Sequence, residues 1–599
     1  MSIAATTQDS SSAYHWKSNQ VLLDSLRQIV GAKYTLTSPS ATRRYRTGIR
    51  FGSGNALAVV RPGTLVEQWK VLKACLGAGV AIITQASNTG LTGGSTPDGN
   101  DYDRDLVIVS MTRVKRAYVL DNGKQVICLP GTTLDQLEKL LRPLGREPHS
   151  VIGSTCIGAS VFGGVCNNSG GALVQRGPAY TEMSVFARVD ERGEVQLVNH
   201  LGVRITGPEE KLLECLDRGT FSETDVVEDA GAGQDHEYIQ HVRRVDDPTP
   251  ARFNADPNRL YESSGSAGKV MVFAVRLDTF PIEKNPVVFY IGTNRTEELT
   301  QIRREVLSNF HHMPISGEYL HRDAFKIAEK YGKDTFLLIH YLGTSRLPAL
   351  FGLKSRCDAL LERFHFLPSH LTDRVLQAAS YLFPNHLPER IRLYHKKFDH
   401  HLLLKVSAEG ADEARSFLNQ YFDNATGSYF ECTAAEGEKA FLHRFAAAGA
   451  ANRYRALHEQ TVENILALDI ALPRNNMDWF ERLPEEIEEP IMIKLYYGHF
   501  LCHVFHQDYI VKKGHDCMAI EHKMWKLLDN RGAEYPAEHN VGHLYVAKPA
   551  LRNHYQELDP CNRFNPGIGH TSKFAHYREI EIAAPHLPGA PTQNGKTGQ

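Results

Sequence analysis

Between residues 57 and 110 the apolar positions switch between two periods. Leu57, Ala58, Val59 and Val60 form a short apolar run closed by Arg61-Pro62-Gly63, the pattern of a buried strand entering a turn. Leu65, Trp69, Leu72 and Leu76 then share one helical stripe, which predicts a helix. Residues 80–84 predict a second strand that runs into Asn88-Thr89-Gly90-Leu91-Thr92-Gly93-Gly94-Ser95, and residues 106–110 predict a third. Residues 126–129 read as another strand and 133–141 as a helix, followed by small-residue runs from Ile152 to Ser160 and from Gly163 to Gly171. The order strand, helix, strand, glycine loop, strand predicts an α/β or α+β nucleotide-binding unit. Residues 207–258 are polar and acidic and read as a surface insertion, after which the β-rich run 269–279 returns to the first unit. Beyond Pro281 the glycine-rich runs stop and histidine and aromatic residues increase, so a separate second domain is expected.

Length and composition narrow this picture. A chain of 599 residues is too long for one core, so two or three domains are expected. The composition, 42% hydrophobic and 23% charged, is that of a globular protein, and a net charge of -2 gives no global field for nucleic acid. Ten scattered cysteines include no Cys-x-x-Cys pair, so zinc ribbons and iron–sulfur runs are disfavoured and reduced thiols of a cytosolic protein are expected. Residues 1–19 are polar, with no signal-peptide run, and no apolar stretch approaches the 18 or so residues of a membrane span. The expected division is an N-terminal segment at 1–40, a cofactor domain at 41–280, a second domain at 281–575 and a disordered tail at 576–599.

Loops of Gly, Ser, Thr and Asn at strand ends present clustered backbone N–H groups that bind pyrophosphate. One such loop is most often a tight turn, but two, at 86–95 and 153–171, fit a dinucleotide held from both sides. A Rossmann fingerprint needs a third glycine and a following helix. Gly52-Ser53-Gly54-Asn55-Ala56-Leu57 has neither, so NAD is disfavoured.

The order Val59-Val60-Arg61-Pro62, a helix, then Ser87 to Gly94 resembles the FAD domain of the vanillyl-alcohol oxidase and p-cresol methylhydroxylase (PCMH) superfamily, with residues 153–171 as its second flavin loop. Gly145 to Gly153, Asn167 to Tyr180, His499 to Gly514 and Tyr535 to His543 resemble more closely the bacterial respiratory D-lactate dehydrogenases, so the resemblance spans both halves. It implies an α+β fold: a two-subdomain PCMH-type FAD-binding domain with a separate α/β cap domain. It also implies FAD-dependent oxidation of D-lactate to pyruvate, with electrons passed to ubiquinone or menaquinone. By the same resemblance, Ala86, Ser87, Asn88, Thr89, Gly90, Gly94 and Ser95 should hold the flavin pyrophosphate, and Gly153, Ser160, Gly170 and Val272 the rest of FAD. Some superfamily members attach FAD through a histidine in or near the first loop; this loop has none, so FAD is expected to be non-covalent.

Oxidising a 2-hydroxyacid needs a cation for the carboxylate and a base for the hydroxyl proton. Related enzymes carry Gly-His-x6-His and a later Glu-His-Gly, in which two histidines and the glutamate bind a divalent metal and the next histidine is the base. Here Gly498-His499, His506 and Glu538-His539 match. The loop between the histidines is Phe500 to Phe505 instead of Gly-Asp-Gly-Asn, and residue 540 is Asn, which puts the metal in question. By this resemblance His539 is the expected base, His499, His506 and Glu538 the possible metal ligands, and Arg390 and Lys405, at a spacing like that of the related enzymes' Arg and Lys pair, the expected carboxylate partners. Residues 340–405 hold ten Lys or Arg against five Asp or Glu, with Phe351, Leu353, Leu360, Leu361, Phe364 and Phe366 interleaved. Such a run is usually a solvated face. The resemblance implies instead peripheral attachment to anionic lipids on the cytoplasmic side of the cell inner membrane. Two readings stay open beside this one: a soluble FAD enzyme for glycolate or 2-hydroxyglutarate, and a flavoprotein scaffold without catalysis.

Overall fold

A computed structural model describes residues 9–150, 158–343 and 370–578, with a few positions between 350 and 368. Gly153, the tail from residue 579 and part of the basic stretch 340–405, Phe351, Leu353 and Phe366 included, lie outside the described residues.

The first domain has two sheets. In the four-stranded sheet Ala58–Val60, Leu106–Ser110 and Ala81–Gln85 run parallel, with Thr35–Leu36 antiparallel at one edge. Helix Leu65–Gly77 makes the crossover, and the Thr64 hydroxyl caps it by accepting from the Glu67 N–H. The five-stranded antiparallel sheet is centred on Met271–Asp278, buried along all but its last residue because sheet partners and core flank it on every side. Helix Asp9–Val30 adds Leu22, Leu26 and Val30 to the same core, so most of the N-terminal segment belongs to this domain.

The polar segment 207–258 is packed rather than merely appended. Leu212, Leu213 and Leu216 enter the first core, and Tyr238 and Val242 enter the second domain's core. These apolar residues recur at helical spacing within an acidic background, which suffices to seat two short helices.

The second domain is a seven-stranded antiparallel sheet. Its strand order is Ser428–Glu431, Val287–Thr293, His400–Val406, Ser316–His321, Ile491–His499, Val504–Lys512 and Val462–Ala471. One face carries helices Thr296–Asn309, Ala411–Phe422 and Cys517–Asn530 over a core around Trp479. The other carries Arg322–Tyr331 and the long helix Ala434–Leu457, whose Ala446, Ala447 and Ala450 allow a close approach. Alternation along the strands separates the two faces: Tyr319 joins the Trp479 side, whereas Leu320 joins the other.

The last part of the second half of the chain packs on the first domain. From Val541 the chain returns to the first domain, and Phe564 bridges Ile82 at the edge of the parallel sheet. Cys561 and Phe564 are buried in that core. No periodic pattern marks this return, because it is made by turns and a single bridge. Phe564→Ala should therefore destabilise the cofactor domain, not the second, by about 3–5 kcal/mol. Chemical denaturation read by flavin release and by tryptophan fluorescence checks this; an unchanged midpoint for flavin release would count against it.

Candidate active site

A cavity of about 1890 Å³ separates the two domains. Ala86, Ser87, Asn88, Thr89, Gly90, Gly94, Ser95, Ser160, Gly170 and Val272 all line it, so every described residue expected to hold the flavin is there. Asn88 takes a left-handed conformation and accepts from the Ser95 hydroxyl at 3.0 Å, which folds the first loop back on itself. A side chain at Gly90 would project into open space, leaving a cradle of bare backbone. A Cβ at Gly170 would meet Glu538 Oε1 at 2.5 Å and Arg252 Nε at 2.7 Å, so glycine is required for the second loop to approach the polar cluster. Asn540 ties the loops together: its carbonyl accepts from the Thr92 hydroxyl at 2.8 Å and its amide donates to Asn167. Residues, cradle and backbone donors fit a dinucleotide the size of FAD.

Against this cradle the sheet sets a cluster drawn from four strands. Glu318 pairs in register with His499, and Asp469 with His506, so all four side chains project from one face. His499 Nδ1 lies 2.7 Å from Glu318 Oε1, and His499 Nε2 lies 3.3 Å from Glu538 Oε2. His506 Nε2 lies 3.8 Å from the same Glu538 oxygen, and its Nδ1 lies 3.5 Å from Asp469. His539 Nδ1 donates to Asp469 Oδ2 at 2.7 Å, and the backbone N–H groups of Glu538 and His539 donate to the same oxygen at 2.7 and 2.9 Å.

Burial and charge act differently on the three histidines. Burial opposes charge on His499, but Glu318 and Glu538 outweigh it and push its pKa up to about 10. Burial prevails at His506 and lowers it to about 4, leaving a neutral ring. At His539 burial again opposes charge, and Asp469 overcomes it and raises the pKa. Glu538 stays ionised despite burial because His499 and Arg252 hold its pKa well down.

Cations complete the site, and not all were expected. Lys405 lines the cavity, its Nζ 5.7 Å from the Phe441 ring centre. Arg390 does not line it. Helix Glu389–Lys397 turns Arg390 outward, stacked 4.0 Å over Phe430 and paired with Glu436 at 3.2 Å. Arg444 of the long helix lines the cavity, 3.0 Å from Glu318 and 4.6 Å over the Tyr497 ring. Arg252, delivered by the segment read as an insertion, binds Glu538 at 2.5 Å. Asp469, Arg252 and Arg444 carry no local motif. The one signal was Asp469 itself, a lone acid inside the apolar run 465–472.

Comparison with known proteins places this arrangement. The D-lactate dehydrogenase, membrane binding family matches residues 288–577, and the FAD binding domain family matches residues 56–198. The chain is 59% identical over 561 residues to the quinone-dependent D-lactate dehydrogenase of Haemophilus influenzae, covering 94% of this chain and 100% of that one. The Escherichia coli enzyme of the same name is 58% identical over 563 residues, covering 94% and 99%. That of Corynebacterium glutamicum is 46% identical over 552 residues, covering 92% and 96%. Among solved structures, substrate-bound p-cresol methylhydroxylase superposes with a TM-score of 0.56 at 12% identity, covering 93% of this chain and 97% of that one. Alkyldihydroxyacetonephosphate synthase gives 0.53 at 11% identity, covering 91% and 84%. The distant structures share the PCMH-type fold, and the near relatives match both domains over nearly their whole length: the chain belongs to the quinone-dependent D-lactate dehydrogenase family.

Proposed function

We propose that the chain oxidises D-lactate to pyruvate in this cavity and passes the electrons to a membrane quinone, with His539 as the base. The observation that carries the assignment of the base is the His539–Asp469 pair facing the flavin cradle. The name shared by the three relatives favours D-lactate over a soluble glycolate or 2-hydroxyglutarate enzyme. FAD, when bound, supplies a two-electron acceptor for the α-carbon's hydride. Asp469 holds the proton on His539 Nδ1, so Nε2 is the free acceptor. That nitrogen takes the hydroxyl proton as the α-carbon is oxidised. Arg444 and Lys405 are the cations placed to hold the lactate carboxylate, and the fork of Arg444 fixes its plane. His539→Asn should retain FAD and slow flavin reduction by D-lactate roughly 10²-fold or more. Anaerobic stopped-flow absorbance reads this directly, and a wild-type rate would move the base elsewhere.

His499, His506 and Glu538 also fit a divalent cation. Their donor atoms lie within 4.8 Å of one another. Glu318 and Asp469 occupy the Nδ1 side of each imidazole, leaving both Nε2 atoms toward Glu538. Carboxylates in that position orient histidine ligands. A cation there would hold the lactate hydroxyl and ease loss of its proton. Chelation should remove metal and activity together, with both restored by re-addition; a metal-free, fully active enzyme would overturn this.

We further propose peripheral attachment to the cytoplasmic side of the inner membrane through residues 340–405. No helix among the described residues is long and apolar enough to cross a membrane. The stretch has twice as many basic as acidic residues and exposes Tyr381, Leu382 and Phe383 in succession, at 64%, 86% and 52%. Basic charge with exposed apolar side chains suits an anionic headgroup layer. Vesicle flotation should show salt-sensitive binding to anionic vesicles that weakens when these three residues become serine; equal binding to neutral vesicles would refute it.

A further inference from the structure

The last part of the chain does more than pack on the first domain. The carbonyls of Thr92, Gly94 and Thr96, in and just past the first flavin loop, all accept hydrogen bonds from it. The His543 N–H donates to the Thr92 carbonyl at 2.9 Å, and the His543 ring donates from Nε2 to the Thr96 carbonyl at 2.8 Å. Gly542 is left-handed, and a Cβ there would meet the Thr92 oxygen at 2.1 Å, so glycine is required for this approach. The amide of Asn565 uses its two hydrogens on two carbonyls, that of Gly94 at 2.8 Å and that of Ala267 at 2.7 Å.

Asn565 is itself firmly placed. The Asp559 carboxylate accepts from the backbone N–H groups of Arg563 and Phe564 at 2.9 and 2.7 Å. The Asn565 N–H donates at 2.8 Å to the carbonyl of Ile82, in the strand that runs into the flavin loop. Asn565 is 1% exposed, so water does not replace a hydrogen bond lost there. Gly94 and Ala267 both line the cavity, and one side chain thus joins two separate parts of its lining.

A trans peptide points its C=O and N–H in opposite directions. Holding the Gly94 carbonyl against Asn565 therefore turns the Ser95 N–H the other way, and among the described residues no acceptor takes up that N–H. Ser95 lines the cavity. A free backbone donor beside a cavity is suited to an anion.

We propose that Asn565 and His543 are positioning residues for the flavin. By holding the carbonyls of Gly94, Thr92 and Thr96 they set the N–H groups of the first loop for the pyrophosphate, and the last part of the chain thereby governs how tightly FAD is retained. The proposal rests on the reading that this loop holds the pyrophosphate. The stretch that meets Asp469 through residues 538 and 539 reaches the flavin loop through residues 540 and 543, so base and cofactor are held by one piece of chain.

The test is the release of FAD from the full-length holoenzyme on dilution, read by the rise of free-flavin fluorescence. Asn565→Asp sets a carboxylate against two carbonyl oxygens, and His543→Phe removes the ring donor. Each should release FAD roughly 10–10²-fold faster. His543→Gln, whose amide still reaches the Thr96 carbonyl with a donor, should recover most of the retention. Phosphorus NMR of the holoenzyme should show the pyrophosphate resonances displaced in Asn565→Asp and His543→Phe and restored in His543→Gln. Circular dichroism reports folding, and the His543 pair decides the matter if Asn565→Asp does not fold. Wild-type release in the folded variants would overturn the proposal, and so would faster release with undisplaced resonances, which is the mark of a merely structural role. Gly90→Val, which projects into the cradle, tests the underlying reading separately: wild-type retention of FAD in that variant would show that the loop does not hold the pyrophosphate.

Discussion

A carboxylate buried in an apolar strand must be met by hydrogen-bond donors, and Asp469 is met three times from one short stretch of chain. The backbone N–H groups of residues 538 and 539 and the His539 ring converge on a single oxygen. Charge-assisted bonds of this kind are the stronger ones, and breaking them strands a buried charge. The edge strand Val462–Ala471 and the loop carrying Glu538 and His539 are thereby fixed to each other. That one junction presents His539 to the cavity and turns Glu538 toward Arg252 and His499. The Ala471–Glu534 bridge holds the loop to the same strand a few residues away.

The rest of the polar cluster follows from the same rule. Glu318, Asp469 and Glu538 are buried acids; Arg252, Arg444 and the raised His499 answer them. Removing one partner of a buried pair such as Arg252–Glu538 typically costs about 3–5 kcal/mol. Such a cluster forms only when distant strands are paired in the correct register. Shifting a strand by one residue would send Glu318 or His499 to the Trp479 side of the sheet. The second domain's core and the active site therefore depend on the same alignment.

Much of this was legible in the sequence, for identifiable reasons. The first flavin loop announces itself by composition immediately after a strand, and the structure brings Ala86 to Thr92, Gly94 and Ser95 to the cavity. Gly498-His499, His506 and Glu538-His539 are local patterns, and the fold brings all four charged or polar side chains together. Asp469, Arg252 and Arg444 were not legible, because each reaches the site through pairing across 70 or more residues of sequence. Arg390 shows the limit of spacing alone. Its helix is present, but Phe430 and Glu436 provide a better place for the guanidinium on the outside. The return of Phe564 to the first domain has no periodic signature, since one bridge and several turns accomplish it.

The central claim is that Asp469 organises the base. It is tested most directly by anaerobic reduction of the flavin in Asp469→Asn by D-lactate. The amide keeps the shape but loses the charge that holds the proton on Nδ1 of His539. The account predicts that FAD and D-lactate still bind, while flavin reduction slows roughly 10²-fold or more. Reduction at the wild-type rate would contradict it.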